Sequence, residues 1–98
     1  MKKRPQVSRN TAEMLAIQAL AFIAEDPERL ARFLGLSGIA AHEIRAAARQ
    51  SAFLAGVLEH MVGDENLLIA FAADAGIDPG ELARARSALG GPEESGVP

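Results

Sequence analysis

Apolar residues recur along this chain at helical spacing, and the pattern is used twice. Leu15, Ala16, Ala19, Leu20 and Ile23 fall on one face of a 3.6-residue spiral. Phe53, Leu54, Val57, Leu58 and Met61 trace the same stripe at an offset of 38. Residues 13–48 overlay residues 51–86 at that offset: Asp26 falls on Asp64, Leu30 on Leu68, Phe33 on Phe71, Gly38 on Gly76, Glu43 on Glu81 and Ala47 on Ala85. A unit of this size used twice is one supersecondary motif whose copies bury each other's apolar faces.

Helix-end signals divide each unit into three helices. Asn10 with Glu13 three residues on reads as a capping box. Asp26-Pro27-Glu28 supplies a cap, a proline at the first helical position and an acid in the first turn. The second helix is predicted from Pro27 to about Leu34, with Gly35-Leu36 as an early stop. Its counterpart runs from Glu65 to about Ala75, opened by Asp64 after Gly63 closes the helix before it. Gly76-Ile77 reads as a left-handed glycine cap with an apolar residue behind it. Asp78-Pro79-Gly80-Glu81 opens a helix from Pro79 to Ala88. Its equivalent, Ala40-Ala41-His42-Glu43, has neither cap nor proline, so a third helix over Ala41–Ala48 should fray more readily than the sixth.

The expected fold is all-α: a compact six-helix bundle of two related three-helix units around a pseudo-two-fold axis. Residues 1–9 read as a flexible basic tail, residues 10–90 as one helical domain (unit one 10–49, unit two 51–90) and residues 91–98 as a disordered tail. With 98 residues, one domain with its own core is the prior. Aromatic residues are only 4%, all Phe, so small aliphatic side chains must fill the interior and helices must approach closely.

Composition narrows the function classes. The chain has no cysteine, which removes disulfide and thiolate chemistry and suits a reducing cytoplasm. The basic start is followed by Pro5 and Ser8-Arg9-Asn10-Thr11, not by an apolar stretch, so no secretory signal is expected. The longest wholly apolar run, Leu67 to Ala73, falls far short of the roughly 20 residues of a membrane span. A net charge of −3 is no electrostatic footprint for nucleic acid.

Candidate chemistry is sparse. His42 and His60 are the only histidines, and a zinc site needs three or four suitably spaced ligands. His60 aligns with Phe22 and so reads as a partly buried packing residue. Asp26, Asp64, Asp78, Glu13 and Glu81 stand at N-cap or N3 positions, where a carboxylate satisfies free helix amides. No catalytic residue, metal or cofactor is assigned, and no enzyme activity is expected. The first and fifth helices carry apolar residues on their backs as well, at Ile17, Ala21 and Phe22 and at Ile69 and Ala73. A helix apolar nearly all round is enclosed or pressed on a partner. Ile17, Phe22 and Ile69, with Arg29 and Arg32 as a charged rim, form the candidate interaction surface for a protein partner, the chain itself included. The alternative is a nucleic-acid-associated protein with a helix-turn-helix-like segment over residues 30–49, in which Ala40–Arg49 would be the recognition helix.

A family resemblance joins these readings. The run Ala21-Phe22-Ile23-Ala24-Glu25-Asp26-Pro27-Glu28-Arg29-Leu30, through Arg32-Phe33-Leu34 and Ser37-Gly38, resembles the first half of a bacterial family known as domain of unknown function 3572. Phe53-Leu54, Val57-Leu58, Asp64-Glu65, Leu67-Leu68, Ala70-Phe71-Ala72, Ala85-Arg86 and Leu89-Gly90 resemble its second half, for a coverage of about residues 12–91. The family's usual Asp-Pro after the middle glycine stands here as Ala40-Ala41. The resemblance implies a short cytoplasmic protein of alphaproteobacterial type and brings no catalytic residues.

Overall fold

The computed structural model describes residues 7–90. Six α-helices follow one another: α1 (Arg9–Ala24), α2 (Pro27–Ser37), α3 (Ile44–Ala47), α4 (Ser51–Val62), α5 (Glu65–Ala75) and α6 (Pro79–Gly90). A 3₁₀ turn, Ala41–Glu43, precedes α3, and no strand occurs among the described residues. The fold is all-α. The tail expected over 91–98 and most of that over 1–9 lie outside the described residues.

The first helix starts earlier than expected. Ser8, not Asn10, is its N-cap, and the Ser8 hydroxyl accepts the Thr11 N–H at 3.1 Å. This start carries Val7 onto the core, so the folded part begins inside the stretch expected to be tail. An apolar residue ahead of the cap commonly fixes the entry of a helix in this way. Glu13 is thereby released from capping α1. Its Oε2 instead accepts the Ser51 hydroxyl at 2.8 Å. Ser51 is the first residue of α4, whose N-cap Gln50 makes no side-chain capping bond. A carboxylate there favours the positive end of the α4 dipole.

α2 and α5 resemble each other closely. Each has 11 residues, an aspartate N-cap and a glycine C-cap with positive φ, 75° at Gly38 and 70° at Gly76. The Asp26 carboxylate accepts the Glu28 N–H at 2.9 Å, and the Asp64 carboxylate accepts the Leu67 N–H at 3.2 Å. Such caps are each worth about 1 kcal/mol. Gly35 does not stop α2, which runs through it to Ser37. Gly63 does close α4, but with φ −79° and not in the left-handed region.

The third helix is barely one. Ala40 offers no side-chain cap; only the Glu43 carboxylate answers, accepting the Ala40 N–H at 2.9 Å. The segment makes one 3₁₀ turn and then the four residues of α3. By contrast α6, with Pro79 at its first position and Glu81 in its first turn, runs for 12 residues.

The core lies where α1, α4 and α6 pack on one another, with α2 laid against α1 and α5 against α4. Ala12, Ala16, Ala19 and Ala85 are fully buried there, which lets the backbones come close; Ile23, Leu58, Met61 and Leu82 fill the rest. Phe22 and Phe71 meet at 5.4 Å between ring centroids, and Phe33 closes the α2 side. Among the described residues no polar or charged side chain is buried.

Candidate functional site

Four large aliphatic side chains face outward: Met14 and Ile17 on α1, Leu36 on α2 and Ile69 on α5. Two of them, Ile17 (49% exposed) and Ile69 (52%), belong to the expected interaction surface. Phe22 does not. It is only 7% exposed, tilted against Phe71 and roofed by Arg29, whose guanidinium carbon lies 4.0 Å from the ring centroid. Being at the α1–α2 corner, Phe22 finds a partner within the monomer. Arg29 is committed to the same corner: it donates to the Phe22 carbonyl at 3.3 Å and pairs with Asp26 at 3.8 Å. Arg32 is exposed and, among the described residues, has no carboxylate within ion-pairing distance.

A feature the sequence did not announce lies between α2 and α4. Phe33, Leu36 and Ser37 of α2 and Ala52, Phe53, Gly56, Glu59 and His60 of α4 line an open groove of about 400 Å³. Phe33 forms its floor, edge-on to Phe53 at 6.0 Å and to His60 at 5.1 Å. Leu36 stands on its rim, 70% exposed. Gly56 leaves open space where a side chain would project. The sequence held one faint signal: Ala52 and Gly56, a helical turn apart, put two small residues on the outward side of α4.

His60 also borders a second, polar cleft of about 450 Å³ between α2 and α5. Asp26, Arg29, Arg32, Asp64 and Asn66 line it. Burial pushes the His60 pKa below its ordinary value; Asp64 pulls it back up and Arg32 pushes it further down. Both aspartates are spent on helix amides, as their positions in the sequence suggest. No serine, threonine or lysine lines this cleft to act as a nucleophile. Among the described residues no three His, Asp or Glu side chains are grouped to hold a metal ion.

The helix-turn-helix segment is not built. The residues that would form its recognition helix make a 3₁₀ turn and one turn of α-helix, about 6 Å long at 1.5 Å per residue. A reading helix must present several side chains along the major groove. Residues 7–90 also carry eleven acids against seven arginines, the reverse of a phosphate-binding balance. His42 and Arg45 lie exposed on this short segment and line only a shallow hollow with Ala41 and Ile44.

A family model described as protein of unknown function, DUF3572, matches residues 9–92. The chain belongs to this family. No curated protein and no solved structure matches it. The match spans every described helix, so α1 to α6 are the family's folded unit in this chain. No helix among the described residues is long and apolar enough to cross a membrane.

Proposed function

We propose that this protein is a non-catalytic protein-interaction module of the bacterial cytoplasm, with a second copy of itself among its partners. The observation that carries the reading is the set of exposed aliphatic side chains, Met14, Ile17, Leu36 and Ile69, on helices whose opposite faces are already buried. Scattered apolar residues are ordinary on a surface. Leu36 beside an open aromatic-floored groove is not scattered, and grooves of this kind accept amphipathic helices. Of the carboxylates that would be candidates for acid–base work, Asp26 and Asp64 are occupied at helix ends and Glu13 accepts the Ser51 hydroxyl.

The test is affinity capture from native extract with the wild type and the Ile17→Lys and Ile69→Lys variants, each checked for helicity. The expected result is a partner bound by the wild type and lost from a variant that keeps its fold. The same captured set for all three chains overturns the reading.

We infer also that the chain is two related three-helix units, residues 10–49 and 51–90, at an offset of 38. Two observations support this. α2 and α5 agree in length and in both caps. Glu13 and Ser51, which are 38 residues apart, touch each other, as equivalent positions beside a pseudo-two-fold axis do. An experimental structure in which α1–α2 fails to superpose on α4–α5 would sink this inference.

A further inference from the structure

We propose that two copies of this chain exchange halves, the first three helices of each packing on the last three of the other, with the α3–α4 connection as the hinge. The inference deepens the self-association proposed above but does not use the exposed aliphatic side chains, so its failure leaves the capture experiment untouched.

The halves are interlocked, not side by side. α1 packs on both α4 and α6 of the second half. Phe33 of α2 meets His60 of α4 at 5.1 Å, and Phe71 of α5 meets Phe22 of α1 at 5.4 Å. These two contacts are equivalents at the offset of 38, Phe22 answering to His60 and Phe33 to Phe71. The second helix of each half therefore reaches across to the first helix of the other. The surface that covers each half is one that a second copy carries in identical form, and this names the partner.

The connection between the halves is unlike every other junction between α-helices. The other four contain Asp26-Pro27, Gly38, Gly63-Asp64, and Gly76 with Pro79. Between α3 and α4 the chain reads Ala46-Ala47-Ala48-Arg49-Gln50-Ser51, with no glycine, proline or capping aspartate. Alanine, arginine and glutamine are good helix formers. Gln50 gives α4 no side-chain cap, and it breaks the helical path with φ −103° and ψ 129°. Backbone hydrogen bonds run up to it and on from it: the Arg49 N–H donates to the Ala46 carbonyl, the Gln50 N–H to that of Ala47 and the Leu54 N–H to that of Gln50. Arg49 and Gln50 are exposed. The local preference is thus one continuous helix over Ile44–Val62, about 28 Å long at 1.5 Å per residue. The bend is imposed by the packing of the halves and by the Ser51–Glu13 bond. Straightening it carries the first half away from the second and leaves both open to those of another copy. Exchange of identical elements between protomers is a low-cost route to dimers.

Closure within one chain competes with exchange at an effective concentration on the order of 1 mM for a short connection. The test unfolds the full chain in urea, refolds it at about 10 µM and at about 1 mM, on either side of that competition, and separates the products by size. Monomer should dominate at the lower concentration and a dimer should appear at the higher. Gln50→Ser gives α4 its missing cap and should lower the dimer yield at least about threefold with helicity unchanged. Leu36→Cys with Gly56→Cys places thiols on opposite walls of the α2–α4 groove, in a chain with no other cysteine and with open space at Gly56. A short bis-maleimide should then join two chains in the dimer fraction and act within one chain in the monomer. Refolding to monomer alone at both concentrations overturns the proposal, as does a dimer yield indifferent to Gln50→Ser. Linkage within single chains in the dimer fraction overturns it too, since that is the result for copies meeting by their outer surfaces.

Discussion

The Ser51 hydroxyl donates to the Glu13 carboxylate at 2.8 Å, tying the middle of α1 to the first residue of α4. It is a partly buried bond to a charged acceptor, and it replaces the capping side chain that Gln50 does not supply. Glu13→Ala should therefore cost about 1–2 kcal/mol, read as a lower urea midpoint. Ser51→Ala added to that variant should cost little more, because the two side chains act as a pair. Additive losses would show that they act separately.

The partial burial of His60 makes stability depend on pH. Burial, the largest influence, holds the His60 pKa below the ordinary 6.5. The unfolded chain therefore takes up the proton first as pH falls, and the folded state loses ground. Stability from this residue is complete above about pH 6.5 and declines as pH drops through the folded-state pKa. Urea midpoints at pH 7.5 and 5.5 should differ in that direction, and His60→Phe should reduce the difference. An unchanged pH dependence in that variant would place the effect elsewhere.

Two residues of α5 only two positions apart should respond very differently to truncation. Phe71 is 2% exposed and packs against Phe22, whereas Ile69 is 52% exposed. Phe71→Ala should cost about 3–5 kcal/mol, enough to leave a small domain largely unfolded. Ile69→Ala should stay within about 0.5 kcal/mol in the monomer. Thermal melts at low concentration distinguish them.

The two glycines of α2 have opposite roles. Gly35 lies inside the helix with open space around the missing Cβ. Gly35→Ala should stabilise by about 1 kcal/mol through helix propensity. Gly38 has φ 75° and must leave the right-handed region to end the helix. Gly38→Ala should destabilise by roughly 1–2 kcal/mol, the cost of holding an L side chain there. Equal shifts in melting temperature would contradict this account.

Much of the helix inventory was legible because its ends are written locally. The limits of α5 follow from Asp64 and Gly76, one a cap acceptor and the other a left-handed stop. The expected weakness around residue 41 follows from the alanines standing where Asp78 and Pro79 stand later. Errors arose where one local signal competed with another. Ser8 and Asn10 both offer a cap, and the burial of Val7 decides for Ser8. Gly35 looked like a stop, but Gly38 three residues on can take the positive φ that a stop requires. Phe22 looked like surplus surface because nothing in the chain order says that Arg29 will cover it. The groove beneath Leu36 was illegible for the same reason: it exists only through the spacing of α2 against α4.

The interior described above contains aliphatic and phenyl groups and the Met61 thioether, with no polar or charged residue buried among the described residues. Such an interior is permissive: oily groups of similar volume can stand in for one another and still condense. It therefore carries little of the message about which rod lies beside which. That message is written at the tips, in the aspartates that begin a rod and the glycines that finish it. Shuffling the greasy residues among themselves should yield mostly helical, folded descendants; shuffling the punctuation should yield helices that no longer agree on an arrangement.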